Sequence, residues 1–388
     1  MKRVDIVISG GGMIGSIAAV AASRQGLSVL LIEAQSITEL TTNFPRDLRV
    51  SAISADNINY LKQLGIFAKL LQKRIQPYSK MQVWDNRGEG NISFEADYAQ
   101  QNYLGYLLEN NNLVQAAWNS LEGCFEAVQQ TQIKTIENDG TQVRVELANG
   151  DKYKSRLLIA AEGRNSFVRS FAEIKIKQTS YQQKGLVAYL QIDNAPKSSV
   201  LQAFNQGGPI GILPISEEEK IFSIVWSLPE QQADKMLKCD EQIFEKEVKQ
   251  AIGKDFGAIK LLSKRAGFPL TQLYADEYFK KRIVLCGDSA HGVHPLAGQG
   301  VNLGIGDIQQ LFKVINQKSL KDADLLHQAL RKYQRRRISK VKETSEMMSV
   351  LHHLFKDDEH IKKPLRNIGL KLVNALPFKK WLAGQAGS

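Results

Sequence analysis

Apolar residues bunch rather than alternate in Val4-Asp5-Ile6-Val7-Ile8-Ser9, which predicts a strand buried on both faces of a parallel sheet. Gly10-Gly11-Gly12-Met13-Ile14-Gly15 then opens a helix of small residues reaching Ala22, and residues 27–32 supply a second strand that ends at Glu33. This is a βαβ start. Far downstream, Arg282-Ile283-Val284-Leu285-Cys286 repeats the short buried-strand pattern and is stopped by Gly287-Asp288. A glycine-rich loop leads from there into a helix over about 300–315. Strand-like stretches fill the space between, at 80–84, 143–147, 186–192, 211–215 and 221–226. Several are divided by turn signals such as Asn149-Gly150 and Asn138-Asp139-Gly140. The order predicts an α/β domain, built from the first and last thirds of the chain, with an antiparallel sheet inserted into it. No internal repeat or low-complexity segment interrupts this pattern.

Composition narrows the class. The 388 residues are 43% hydrophobic with 29 Gly and 10 Pro, which excludes a disordered or collagen-like chain. The three cysteines, Cys124, Cys239 and Cys286, are far apart, form no metal clip or bridged framework, and point to a reducing compartment. Lys2 and Arg3 before a small apolar run imitate a secretion signal, but Asp5 and three successive glycines break the apolar helix such a signal needs. No run reaches the ~18 apolar residues of a membrane-spanning helix. The expectation is a cytoplasmic protein, with peripheral contact at the inner face of a membrane as an added role. Most of the net charge of +11 sits at one end, since residues 331–388 hold 14 Lys plus Arg against 5 Asp plus Glu. There, Leu365, Ile368, Gly369, Leu372, Val373 and Leu376 follow the spacing of one helical face, with Arg366, Lys371, Lys379 and Lys380 around it. Such a basic stripe docks on an anionic membrane surface or packs on the protein's own body. Nucleic acid is not expected as a partner, because no aromatic stacking platform accompanies the charge.

Two constellations carry chemistry. Gly10-x-Gly12-x-x-Gly15 follows a strand and opens a helix, with Glu33 23 residues beyond the first glycine. Gly10 allows the tight turn and Gly12 lets backbone NH groups approach a pyrophosphate. Gly15 allows close helix packing, and Glu33 can accept from ribose hydroxyls. The motif alone does not separate FAD from NAD. The second runs from Gly287-Asp288 through Pro295, Gly298, Gln299, Gly300, Val301 and Asn302. A glycine-rich loop feeding a helix N-terminus presents NH groups and a positive dipole to the negative charge of a reduced flavin, and Asp288 can accept from ribityl hydroxyls. His291 and His294 lack a third ligand, so no metal is expected, and His291 is expected to hydrogen-bond backbone in its loop.

Taken together, these glycines, the stretch Leu157-Leu158-Ile159-Ala160-Ala161-Glu162-Gly163-Arg164-Asn165-Ser166-x-Val168-Arg169, and Gly287-Asp288 with 295–302 resemble the class A flavoprotein aromatic hydroxylases. More narrowly they resemble the ubiquinone-biosynthesis hydroxylases, through Asp47-Leu48-Arg49-Val50-Ser51-Ala52-Ile53-Ser54, Gly105-Tyr106-Leu107-Leu108-Glu109-Asn110 and Gly267-Phe268-Pro269-Leu270-Thr271. The resemblance implies an α/β fold: a Rossmann-like FAD-binding domain, an inserted antiparallel-sheet substrate domain and C-terminal helices. It divides the chain into FAD-binding segments at 1–72, 101–178 and 273–330, substrate-domain segments at 73–100 and 179–272, and basic C-terminal helices at 331–388. It also implies FAD as cofactor and NADH or NADPH as co-substrate. The substrate class would be a polyprenyl phenol or quinol, with other ubiquinone-biosynthesis proteins as partners. The implied reaction inserts one oxygen atom of O2 into an electron-rich ring, so no side-chain nucleophile is expected. Arg49 and Asn110 are implied to lie along the FAD; read without the family, Arg49 is a surface cation. Glu162 departs from the Asp usual before this glycine. The stretch from Gly207 to Pro214 and Trp226 are expected to belong to the sheet that roofs the flavin ring.

Overall fold

The structure, a computed structural model, describes residues 1–356 apart from 38, 42–45, 87, 89, 122–124, 206 and 294–298. The expected strand at the N-terminus forms as Ile6–Ser9 and lies centrally in a parallel sheet. Its neighbours are Val29–Ile32 on one side and Leu157–Ala160 on the other, extended by Phe125–Val128 and by Ile283–Leu285. Ile6–Ser9, Val29–Ile32, Leu157–Ala160 and Ile283–Leu285 are buried along their whole length, as strands covered on both faces must be. Helices Met13–Arg24 and Gln299–Val314 pack together, and the long helix Ala323–Lys356 packs on Gln299–Val314. The small residues Ala18, Ala19, Ala21 and Ala22 allow the first helix its close approach.

The second half is a mixed sheet. Among the described residues its order is His291–Gly292, Ala266–Ala275, Ile176–Ile192, Ile221–Pro229, Ile210–Ser216, Ser199–Phe204, Lys80–Asp85 and Asn91–Glu95, with Ile259–Leu261 pairing Ile176–Ile192 at one end. Two features differ from the expected antiparallel insert. Lys80–Asp85 runs parallel to Ser199–Phe204, because the earlier segment adds to the sheet edge after a long connection rather than through a hairpin. Val143–Leu147 is absent from this sheet; it pairs Ile133–Asn138 and Lys152–Ser155 in a separate sheet that flanks the parallel half. The 17-residue strand Ile176–Ile192 and the strand Ala266–Ala275 run from one half into the other.

Alternation sorts the mixed sheet. Phe222, Ile224, Trp226 and Leu228 turn to the outer core formed with helices Glu230–Lys238 and Glu241–Ile252, while Val225 and Ser227 turn to the cavity between the halves. Trp226 therefore belongs to the outer core rather than to the roof of the cavity. No described helix is long and apolar enough to cross a membrane. The basic stripe at 365–380 lies outside the described residues.

Candidate active site

A cavity of about 820 Å³ lies between the two sheets, toward the upper end of the ~300–1,000 Å³ range of small-molecule sites. Its lining includes Gly10, Gly12, Glu33, Arg49, Asn110, Asp288, Gln299, Gly300, Val301 and Asn302. Nearly all the residues singled out in the sequence thus converge on one space. Gly15 and Gly287 stand behind its wall, while Pro295 and Gly298 lie outside the described residues.

The three fingerprint glycines have different physical reasons. Gly10 holds φ +98, and a Cβ there would sit 2.5 Å from the carbonyl oxygen of Ala161. At Gly15 a Cβ would fall 1.8 Å from the carbonyl oxygen of Gly10, so only glycine lets the helix pass so close. A Cβ on Gly12, in contrast, meets nothing within 4 Å, because that position opens on the cavity. Gly12 is also the N-cap of Met13–Arg24, which has no side-chain cap and no acid in its first turn. Uncapped NH groups and the positive end of a helix dipole at a cavity wall suit an anion.

Glu33 reaches back to this loop. Its Oε2 accepts from the Gly11 NH at 2.6 Å and its Oε1 from the Gln35 NH at 2.9 Å, leaving lone pairs for a ligand hydroxyl. Trp118 was not foreseen from sequence. Its indole NH donates to the Gly11 carbonyl at 2.8 Å, and a Cβ on Gly11 would strike its ring at 2.6 Å. Gly11, which the fingerprint leaves free, is required by this stacking of ring and loop.

A buried charge network supports the second loop. Gly287, at φ +60, donates its NH to Asp307 Oδ2 at 2.8 Å. The same oxygen lies 2.6 Å from His291 Nε2, and Asp307 Oδ1 accepts from Arg337 Nε at 2.6 Å. Burial opposes the charge on Asp307, but His291, Arg337 and the NH of Gly287 outweigh it and hold the carboxyl below the usual range. His291 therefore bonds a carboxylate, correcting the expected backbone contact. The carboxylate comes from a helix 16 residues away, which loop-local reasoning does not reach. Arg337 also donates to the Leu303 carbonyl at 2.9 Å, tying the long C-terminal helix to the helix that lines the cavity. Buried Cys286 has its thiol pushed well up by desolvation and stays neutral.

Two further supports set the cavity wall. Glu109 is fully buried, receives Arg46 at 3.2 Å and Arg74 at 3.1 Å, and accepts the Asp47 NH at 2.8 Å. Tyr189 donates to the Asp47 carbonyl. The loop carrying Arg49 is thus fixed at its base while the Arg49 side chain is exposed at the cavity. Asn110 accepts from Ser51 Oγ at 2.6 Å. Asn302 spends its carboxamide inside the protein: its oxygen accepts from the Ser54 NH and Asn57, and its amide donates to the Ala52 carbonyl. It positions the helix start against the strand Val50–Ser54.

Glu162 acts as a clamp. Its Oε1 accepts from Ser9 Oγ at 2.6 Å, and its Oε2 accepts from Ser166 Oγ at 2.6 Å and the Val168 NH at 3.0 Å. The longer side chain bridges the end of the central strand to the start of helix Phe167–Phe171. Next to it, Arg164 reaches Asp288 at 3.2 Å and the Thr271 carbonyl at 3.1 Å, joining Asp288 to the mixed sheet. On the sheet side the cavity wall is mainly apolar, with Met81, Val187, Val200, Leu213, Val225 and Phe268. Pro209 and Gly211 from the expected entrance also line it, whereas Gly207 packs toward Gln232 and Pro229.

An open backbone cradle for a dinucleotide, joined to an apolar chamber under a sheet, is the arrangement of an enzyme that brings a redox cofactor against an apolar substrate. Solved structures share the architecture. A probable FAD-dependent monooxygenase, PqsL of Pseudomonas aeruginosa, matches with a TM-score of 0.77 at 22% identity, covering 95% of this chain and 100% of that one. p-Nitrophenol 4-monooxygenase PnpA of Pseudomonas putida matches with a TM-score of 0.79 at 16% identity, covering 100% and 99%. Among curated relatives, the ubiquinone biosynthesis monooxygenase COQ6 of Xenopus tropicalis is 31% identical over 97% of this chain and 91% of its own length. The 3-demethoxyubiquinol 3-hydroxylase of Escherichia coli K12 is 31% identical over 95% and 94%. The family described as "FAD binding domain" matches residues 3–346. The chain belongs to this FAD-binding family and, within it, to the ubiquinone-biosynthesis monooxygenases.

FAD is the cofactor, and the residues present fit it. The space at Gly12, the uncapped helix start and the carboxylates of Glu33 and Asp288 match a pyrophosphate between two hydroxyl-bearing arms. When bound, the flavin supplies the redox chemistry that no side chain of the cavity offers.

Proposed function

We propose that the chain hydroxylates the aromatic ring of a polyprenylated ubiquinone precursor, using O2 and NADH or NADPH. The observation that carries the reading is the continuity of one cavity from the glycine cradle to the apolar sheet wall. In this reading Gly10, Gly12 and the start of Met13–Arg24 hold the pyrophosphate, and Gly15 lets the helix approach. Glu33 and Asp288 bind hydroxyls at the two ends of the cofactor. Arg49 and Asn110 run along it, and Gln299, Gly300 and Val301 present backbone NH groups to the flavin ring. Gly287 and Asn302 hold this wall in place. Pro295 and Gly298 contribute to the same loop by the family resemblance alone. Residues 1–72, 101–178 and 273–330 then form the FAD-binding part, and 73–100 with 179–272 the substrate part.

The protein's own work is to orient the ring, exclude water with the apolar wall, and hold the flavin against it. A prenylated ring stays in the bilayer, so Arg366, Lys371, Lys379 and Lys380 supply charge for collecting it at an anionic surface. The test is oxygen uptake by the purified FAD-loaded protein with NADH or NADPH, with and without a short-chain 3-demethoxyubiquinol, and identification of the product by mass spectrometry. Ring-stimulated uptake with one hydroxyl added per NAD(P)H is expected. Uptake stimulated only by small soluble phenols that carry no prenyl chain would overturn the substrate assignment, and product-free uptake would overturn the hydroxylase.

A further inference from the structure

Besides the small hydroxyl of Ser227, the sheet wall of the cavity carries one long polar side chain, Gln202, with no structural reason to be polar. Gln202 lies on Ser199–Phe204, in register with Val83 on one side and Gly211 on the other. Beyond Gly211 the same row continues through Val225 to Val187. Cross-strand partners share a face, so Gln202 is the single hydrogen-bonding side chain in a row that is otherwise valine and glycine. Its side chain is 7% exposed. Among the described residues its carboxamide makes no hydrogen bond, and neither polar atom is sealed from the cavity. Gln183, buried to the same degree in the same sheet, does donate its amide, to the Gly207 carbonyl at 3.0 Å.

An unpaired amide in an apolar wall costs free energy unless something pairs with it. Gly211 beside it leaves that room, because a Cβ there would meet only the Val225 carbonyl oxygen at 3.8 Å. We propose that the Gln202 carboxamide recognises the substrate ring, its oxygen accepting the O–H of a ring hydroxyl while the valines hold the ring face and alkyl substituent. Gln202 is a specificity-determining residue, and the class it selects is an alkylated phenol with a free hydroxyl. This rests on the ring-hydroxylation reading above. Rejection of a ring that lacks the hydroxyl follows because the amide would then be buried unpaired.

The probes are 2-prenylphenol and its methyl ether, which differ only in that proton. FAD-loaded protein is titrated with each while the flavin absorbance is followed, and hydroxylated product per NAD(P)H is measured separately. Wild type is expected to bind the phenol about tenfold more tightly than the ether, the worth of about one buried hydrogen bond. Gln202→Met, of similar volume, is expected to bind both alike with unchanged FAD content. Gln202→Glu, which keeps an acceptor oxygen, is expected to retain the preference. A wild type that binds the two equally, or fails to bind either, overturns the proposal. So does a Gln202→Met protein that keeps the preference, and hydroxylation surviving in that protein would leave the enzymatic reading intact. A phenol preference that Gln202→Met abolishes, in a wild type that makes no hydroxylated product, supports Gln202 and defeats the hydroxylase reading instead.

Discussion

The two walls of the cavity are built on opposite principles. The parallel-sheet wall is made of backbone: glycines at strand ends, helix starts, and the supporting side chains of buried Asp307 and Glu109 and half-buried Trp118, whose task is to hold that backbone still. The mixed-sheet wall is made of side chains, mostly valine, leucine and methionine, projecting from regular strands. Backbone donors recognise what every bound cofactor of one kind shares, whereas side chains can be exchanged one at a time without disturbing the ladder. The comparison teaches that substitutions should separate cleanly: on the first wall they strike folding or cofactor retention, on the second the choice of ring.

The strongest break is Gly15→Ala. A Cβ 1.8 Å from the Gly10 carbonyl oxygen cannot be relieved without parting helix from strand, so a loss above ~4 kcal/mol is expected, read as failure to recover folded protein. Gly12→Val is the matched control. That position has φ −66 and open space, so the melting temperature of the FAD-free protein should stay near wild type while FAD is lost. Full FAD occupancy in Gly12→Val would contradict the pyrophosphate path.

Next is Asp307→Asn, which leaves the His291 and Arg337 side chains buried beside an uncharged amide. About 3–5 kcal/mol of stability should go at neutral pH, measured by urea unfolding. The acid dependence should change as well. Asp307 has a carboxyl held below its unfolded value, so its contribution is present above roughly pH 4 and is lost as pH falls through the folded value. The variant should therefore show a shallower fall in stability on acidification than wild type.

Trp118→Phe should cost about 2 kcal/mol, since both the indole donor to Gly11 and the part of the bicyclic ring that packs on Gly11 are lost. Its FAD dissociation constant, by fluorescence titration, should rise about fivefold. Smallest is Val225→Thr on the sheet wall, a nearly isosteric change. FAD content should be unchanged and stability should shift by no more than ~0.5 kcal/mol, while the affinity for an apolar ring falls a few-fold. A loss of FAD there would erase the distinction between the walls.

Much of the first wall was legible along the chain because its elements are contiguous: strand, glycine turn and helix fall within residues 6–24, and so the spacing of Gly10, Gly12 and Gly15 carries the geometry. The supports were not legible. Trp118 lies 107 residues from the Gly11 carbonyl it holds, Arg337 lies 30 from Asp307, and no local pattern marks either pair. The inserted sheet was visible as strands, but not that Lys80–Asp85 would join it in parallel or that Val143–Leu147 would leave it, since strand pairing is a long-range choice.

The sequence by itself determined that a dinucleotide would be bound and by which family of loops, because backbone conformation at a glycine turn is a local property. It also determined that several short strands would lie between the two parts of the α/β domain, because strand pattern and turn signals are local too. Only the tertiary structure decided that His291 would answer to Asp307, that Glu162 would clamp Ser9 to a helix, and that Gln202 would stand alone in a row of valines. Those facts depend on register and packing between segments distant in the chain, where one residue of slip turns a cavity-facing side chain into a core-facing one.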